Sequence, residues 1–126
     1  MKKVFVTLIL AIMVLSISGC ARRIADLTYV STKNVSEQDL SASATDGERV
    51  TGEDKSHIII FIPTGTPNAE EALDRAIESK PGGVALKNAS IHSSFFYIPY
   101  IYGQSKIWVE GEVLVPEEKV AQDNKL

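Results

Sequence analysis

His57-Ile58-Ile59-Ile60-Phe61-Ile62, then Pro63-Thr64-Gly65-Thr66-Pro67, then Asn68 to Ser79 (NAEEALDRAIES) set a strand, a turn and a helix in succession. The first six residues form an unbroken apolar run rich in β-branched side chains, which predicts a strand. Continuity without alternation predicts that both of its faces are covered, as in a central strand, and makes Ile60 a core residue. The Pro- and Gly-containing segment is a turn. Beyond it, Ala69, Ala72, Leu73, Ala76 and Ile77 recur at helical spacing on one face, and Asn68 with Glu71 three residues on has the form of a capping box. Pro81-Gly82-Gly83 ends this helix. Its small-residue face predicts close packing against a sheet.

Downstream, residues 83–97 return to strand chemistry, and a strand-helix-strand passage places this segment parallel to the 57–62 strand if both share a sheet. Lys106 to Val115 (KIWVEGEVLV) alternates Ile107, Val109, Val113 and Val115 with Trp108, Glu110, Glu112 and Leu114, which predicts one buried and one mostly wet face. The connection over 98–105 makes these two strands a hairpin with a long tip. Upstream, Leu27 to Thr32 (LTYVST) predicts a first strand. Residues 36–56 have Leu40 and Val50 as their only large aliphatics and predict a solvated polar loop. The expected fold is α+β: a sheet of about four strands, ordered strand, strand, helix, long hairpin, with one helix packed on it. The domain is expected over 29–116, with a mobile tail at 117–126.

The N-terminus carries a different signal. Met1-Lys2-Lys3 is cationic, and Val4 to Ile17 (VFVTLILAIMVLSI) is uncharged and apolar apart from Thr7 and Ser16. As a helix it would span roughly 21 Å, short of the ~30 Å bilayer core, so it predicts a cleaved secretory signal and no permanent anchor. Ile17-Ser18-Gly19-Cys20 resembles the lipobox of bacterial lipoproteins: an aliphatic residue, two small residues, then the cysteine that the motif requires. The resemblance covers about twenty residues. It implies that a diacylglyceryl group is added to the Cys20 thiol and that the Gly19–Cys20 bond is cut. It further implies that the new amino group is acylated, for example with palmitate. Residues 1–19 would then be the signal peptide and 20–28 a lipidated tether. In Gram-negative members an aspartate after the cysteine signals inner-membrane retention, so Ala21 implies the periplasmic face of the outer membrane. The body, with its YIPYIYGQ stretch before a W.VEG.V-like strand, loosely resembles small uncharacterised bacterial envelope lipoproteins, a resemblance that implies no activity.

Loss of residues 1–19 leaves 11 of the 13 basic side chains against all 16 acidic ones, a charge near −5. This acidic balance, with no basic stripe along the chain, argues against nucleic acid as a partner. Cys20 is the only cysteine, so a lipidated chain has no free thiol and no disulfide. The expected partners are the membrane, through the N-terminal lipid, and another envelope protein.

Catalytic and cofactor chemistry find little support. His57 and His92 belong to no metal-binding motif, and a Ser-His-Asp site built from Ser56, His92 and an aspartate has no nucleophile elbow to mark its serine. Glu110 and Glu112 share a strand face simply by alternation. The turn before Asn68 lacks a phosphate-loop pattern. No catalytic residue, metal or cofactor is expected, although a small cell-wall enzyme using Glu110 or His92, or a carrier of a small apolar ligand, stand as alternatives. Six of the nine aromatic residues lie between Phe95 and Trp108. Adjacent Phe95, Phe96 and Tyr97 cannot all face one core. Tyr97, Tyr100, Tyr102 and Trp108 are therefore the candidate partner contacts.

Overall fold

The computed structural model describes residues 1–15, 19–41, 43–44 and 47–117. The lipobox residues Ile17 and Ser18 and nearly all of the expected mobile tail lie outside this range. In chain order the elements are α1 (Lys2–Leu15), β1 (Cys20–Val30), α2 (Glu37–Ser41), β2 (Ser43–Ala44), β3 (Arg49–Ile59), β4 (Ile62–Pro63), α3 (Ala69–Glu78), β5 (Ala85–Ile98) and β6 (Tyr102–Pro116). The fold is α+β. Among the described residues every strand pairing is antiparallel, in the order β1-β5-β6-β3-β4, with β2 extending the β3 side along the far end of β6.

The centre of the sheet is the β5–β6 hairpin. The passage β3-α3-β5 does give two strands running the same way, but β6 lies between them and pairs with both. Alternation along β6 works as the sequence predicts except at Leu114, expected on the wet face but only 3% exposed. Val109 and Val113 point to the α3 side and are fully buried, and Trp108, Glu110 and Glu112 point the other way. The core is one layer: Ala72, Leu73, Ala76 and Ile77 of α3 pack on Leu86, Ala89, Val109 and Val113, with Leu27, Val30, Val50, Ile91, Ile107 and Val115 around them.

Alanine at 72 and 76 lets α3 sit almost on the β3 backbone. A Cβ on Gly52 would fall 2.1 Å from the Ala72 carbonyl oxygen, so only glycine fits there. The helix begins as expected at Asn68, whose side-chain oxygen accepts from Glu70 N–H at 2.9 Å. The second half of the capping box is supplied differently. Asp54 of β3 accepts from the Asn68 N–H at 2.9 Å, and Glu71 turns instead to Arg75, 3.0 Å away. Arg75 also bridges Asp54 at 3.1 Å, which ties the helix start to the neighbouring strand.

Four expectations are corrected. The expected polar loop over 36–56 holds, among its described residues, α2, β2 and the first eight residues of β3. Residues 20–28 are no loose tether, since β1 begins at Cys20 itself, which pairs with Phe95. The HIIIFI run is not a central strand. It ends β3, turns at Ile60-Phe61 and returns as the two-residue β4, so Ile60 is half exposed and lies outside the core. The long hairpin tip shrinks to Pro99-Tyr100-Ile101, because both strands run on to the turn.

Candidate functional site

Two features stand out from the packed core: the sheet face opposite α3, and the end of the sheet where β3 turns into β4 and β5 into β6.

On the face opposite α3, strand alternation brings Ser90, His92, Phe96, Tyr102, Lys106, Trp108, Glu110, Glu53, Lys55 and His57 onto one surface. The His92 ring stacks on Trp108 at a centroid distance of 5.0 Å, nearly parallel. Lys106 Nζ lies 5.1 Å from the Trp108 ring centre. The indole N–H donates to Glu110 Oε1 at 3.0 Å, and His92 Nε2 is 3.1 Å from Ser90 Oγ. Glu53 bridges Lys106 at 2.6 Å and also meets Lys55. Lys106, and after it Lys55, hold the Glu53 carboxyl below the usual carboxylate range by hydrogen bonding and charge. Farther along, His57 hydrogen-bonds the Tyr102 hydroxyl and stacks on its ring, and Phe96 tilts against Tyr102 at 5.9 Å. The result is a half-buried strip of aromatic rings flanked by charges of both signs.

The sequence candidates divide between the two features. Tyr102 and Trp108 belong to the strip. Tyr97 points to the α3 side, where its ring crosses Gly103 and its hydroxyl donates to the Ile60 carbonyl. Tyr100 sits at the hairpin turn and is 73% exposed. The four tyrosine and tryptophan candidates therefore form no single surface. His92 and Glu110 do lie near one another, joined through Trp108. Ser90 beside His92 is only 2% exposed, and Ser56 lies on the opposite face of the sheet from His92. Among the described residues no group of three or more His, Cys, Asp or Glu side chains could hold a metal ion. Glu53, Lys55 and Lys106 were missed as site residues. The alternation of Thr51, Glu53, Lys55 and His57 against Val50, Gly52 and Ser56 is their signal, obscured because the inward side chains are small.

At the sheet end, the turns of the two hairpins lie side by side. Ile60 N–H donates to the Ile101 carbonyl at 3.4 Å, the Tyr97 hydroxyl bonds back to Ile60, and Phe61 meets Tyr100 edge-on at 5.1 Å. Ile60 and Tyr100 both adopt left-handed backbone, with φ 60° and 64°, a costly conformation for side chains of their size. Ile59, Ile60, Phe61, Ile62, Tyr100 and Ile101 are each between 51% and 73% exposed. Residues 58–64 and 97–103 contain no charge. Cys20, with an exposed thiol, opens β1 at this same end.

These features define the class as a two-layer α+β domain: an antiparallel sheet with one face under a helix, the other bearing an aromatic and charged strip, and an apolar end. No protein-family model matches the chain, and no curated protein or solved structure is detectably similar to it.

Proposed function

We propose that the protein is a lipid-anchored lipoprotein of the bacterial envelope, without catalytic activity of its own, that binds another envelope component on the sheet face opposite α3. The lipobox at Ile17 to Cys20 is its basis in sequence. The observation that carries it in three dimensions is the division of the chain at Cys20. Every core residue lies beyond that position, α1 buries none of its residues, and the Cys20 thiol is exposed. Cutting before Cys20 thus removes a helix that contributes no core and leaves a complete domain carrying its acceptor thiol. Among the described residues no helix is long and apolar enough to cross a membrane, so in this reading attachment comes from lipid. Two or three acyl chains are needed for a stable anchor, since each buried methylene contributes only about 0.8 kcal/mol.

The partner is assigned to the His92–Trp108 part of the strip because it offers stacked rings, which interfaces favour at their core, within a polar rim. Replacing Cys20 with Ser is expected to leave full-length precursor without lipid. Trp108→Ala combined with His92→Ala, in the lipidated protein, is expected to abolish recovery of the partner by native co-purification while lipidation proceeds. Undiminished co-purification would remove the strip from the interface.

A further inference from the structure

We infer that the apolar end of the sheet, formed by Ile59 to Ile62 and by Tyr100 and Ile101, is seated in the lipid bilayer beside the acyl chains of Cys20. This inference rests on Cys20 being lipidated and follows from the register of the strands. Cys20 pairs with Phe95, Phe95 with Ser105, and Ser105 with Ser56, so these four residues mark one level across β1, β5, β6 and β3. β1 runs away from that level toward the far end of the sheet. β5 and β3 run past it in the other direction, to Ile98 and Ile59, three residues beyond. At about 3.4 Å per residue the two turns project roughly 10–13 Å beyond the Cys20 level, and three strand spacings put β3 about 14 Å to the side of β1.

No linker separates the anchor from the fold, because Cys20 is itself hydrogen-bonded into the ladder. Acyl chains on that residue must enter the bilayer at this end of the sheet, and whatever projects past them meets the same bilayer. The projecting residues are suited to it. They are uncharged and apolar, and an interfacial element typically buries its apolar side about 5–10 Å into the headgroup and acyl boundary. Tyrosines at 97, 100 and 102 lie where amphipathic rings collect at a membrane surface. Arg22, Arg23, Lys55 and Lys106 come one to three residues behind the Cys20 level, at headgroup depth, although Glu53 shares the two lysines and Asp26 pairs with Arg23. The strained left-handed turns at Ile60 and Tyr100 also make sense here, since they hold bulky apolar side chains at the apex where a soluble hairpin would carry Asn or Gly. Bilayer contact further fixes the orientation: the strands stand on the membrane, and the Trp108 strip faces sideways, open to a partner in the periplasm.

The test uses the full chain, lipidated and purified, with Ile101→Cys labelled by an environment-sensitive nitrobenzoxadiazole dye and Thr28→Cys, near the far end of β1, labelled as control. Each is reconstituted into phosphatidylethanolamine–phosphatidylglycerol vesicles. The dye at 101 is expected to emit further to the blue and to be quenched several-fold more than the dye at 28 by doxyl-labelled lipid. Equal, water-like emission at both positions would overturn the proposal. So would a blue-shifted dye at 101 that doxyl lipid leaves unquenched in a protein that is dimeric in detergent, since a second copy would then cover the tip. The mass of the N-terminus, measured on the same samples, reports the anchor separately. If Cys20 carries no lipid, the anchor reading fails, and the dye read in the same variants carrying Cys20→Ser, so that the introduced cysteine is the only one labelled, and mixed with the same vesicles still decides whether the tip enters them.

Discussion

Gly52→Ala is the substitution most diagnostic of how α3 meets the sheet. A Cβ at this position would lie 2.1 Å from the Ala72 carbonyl oxygen, 2.4 Å from Ala76 N and 2.8 Å from Ala76 Cβ, where ordinary contact begins near 3.4 Å. Two of the three atoms are helix backbone and cannot rotate away. The helix must lift off β3 by roughly 1 Å, which loosens Ala72, Ala76 and the neighbouring Leu73 and Ile77 together. Overpacking a core typically costs about 1–3 kcal/mol, and the upper end or more is expected where backbone is the obstacle. Against a total stability of about 5–15 kcal/mol, that is a large loss. Urea unfolding followed by circular dichroism measures it. Gly65→Ala serves as control: nothing lies within 4 Å of its Cβ position, so stability should stay within about 1 kcal/mol of wild type or rise slightly. Adding Ala76→Gly to Gly52→Ala should recover only part of the loss, because the Ala72 oxygen remains. An unfolding midpoint for Gly52→Ala equivalent to within about 0.5 kcal/mol of wild type would refute this account of the helix–sheet contact.

Ile77→Ala, at a fully buried position, should cost about 2–5 kcal/mol in the same assay. Ile60→Gly should instead raise stability by about 1 kcal/mol, because a β-branched residue leaves a left-handed conformation and no core contact is lost; destabilisation comparable to Ile77→Ala would return Ile60 to the core. Glu53→Gln tests the charge cluster through pH. The folded carboxyl is held below its unfolded value, so its contribution is present above the unfolded value, near 4.5, and fades as pH falls through the folded one. The variant should be less stable than wild type by no more than about 1 kcal/mol at neutral pH, since the group is partly exposed, and should match it in strong acid; a difference that persists or grows in acid would contradict this.

Legibility followed the size of the inward side chains. β6 was readable because Ile107, Val109 and Val113 are large and alternate with polar residues, and α3 because its apolar face recurs at helical spacing. The first half of β3 is hidden by its intimacy with α3: Val50, Gly52 and Ser56 face inward, and at Gly52 the helix backbone leaves no room for a side chain. β1 was under-read for a related reason, since Ala25, Leu27 and Val30 supply its inward face while Arg22, Arg23 and Asp26 make the segment look solvated. The HIIIFI run misled in the opposite direction. Hydrophobic continuity implies burial on both faces, yet the run crosses a turn at Ile60 and ends in exposed residues, a pattern that composition alone does not distinguish from a central strand. Of the candidate site, Trp108 and Tyr102 were legible from their aromaticity. Their neighbours Glu53, Lys55 and Lys106 depended on a register that only the paired strands reveal.

The measurement that bears most directly on the account is the intact mass and N-terminal peptide of the mature protein purified from membranes. A chain that begins at Cys20 with a diacylglyceryl group on sulfur is expected. An unmodified Cys20, or cleavage at any bond other than Gly19–Cys20, would contradict it.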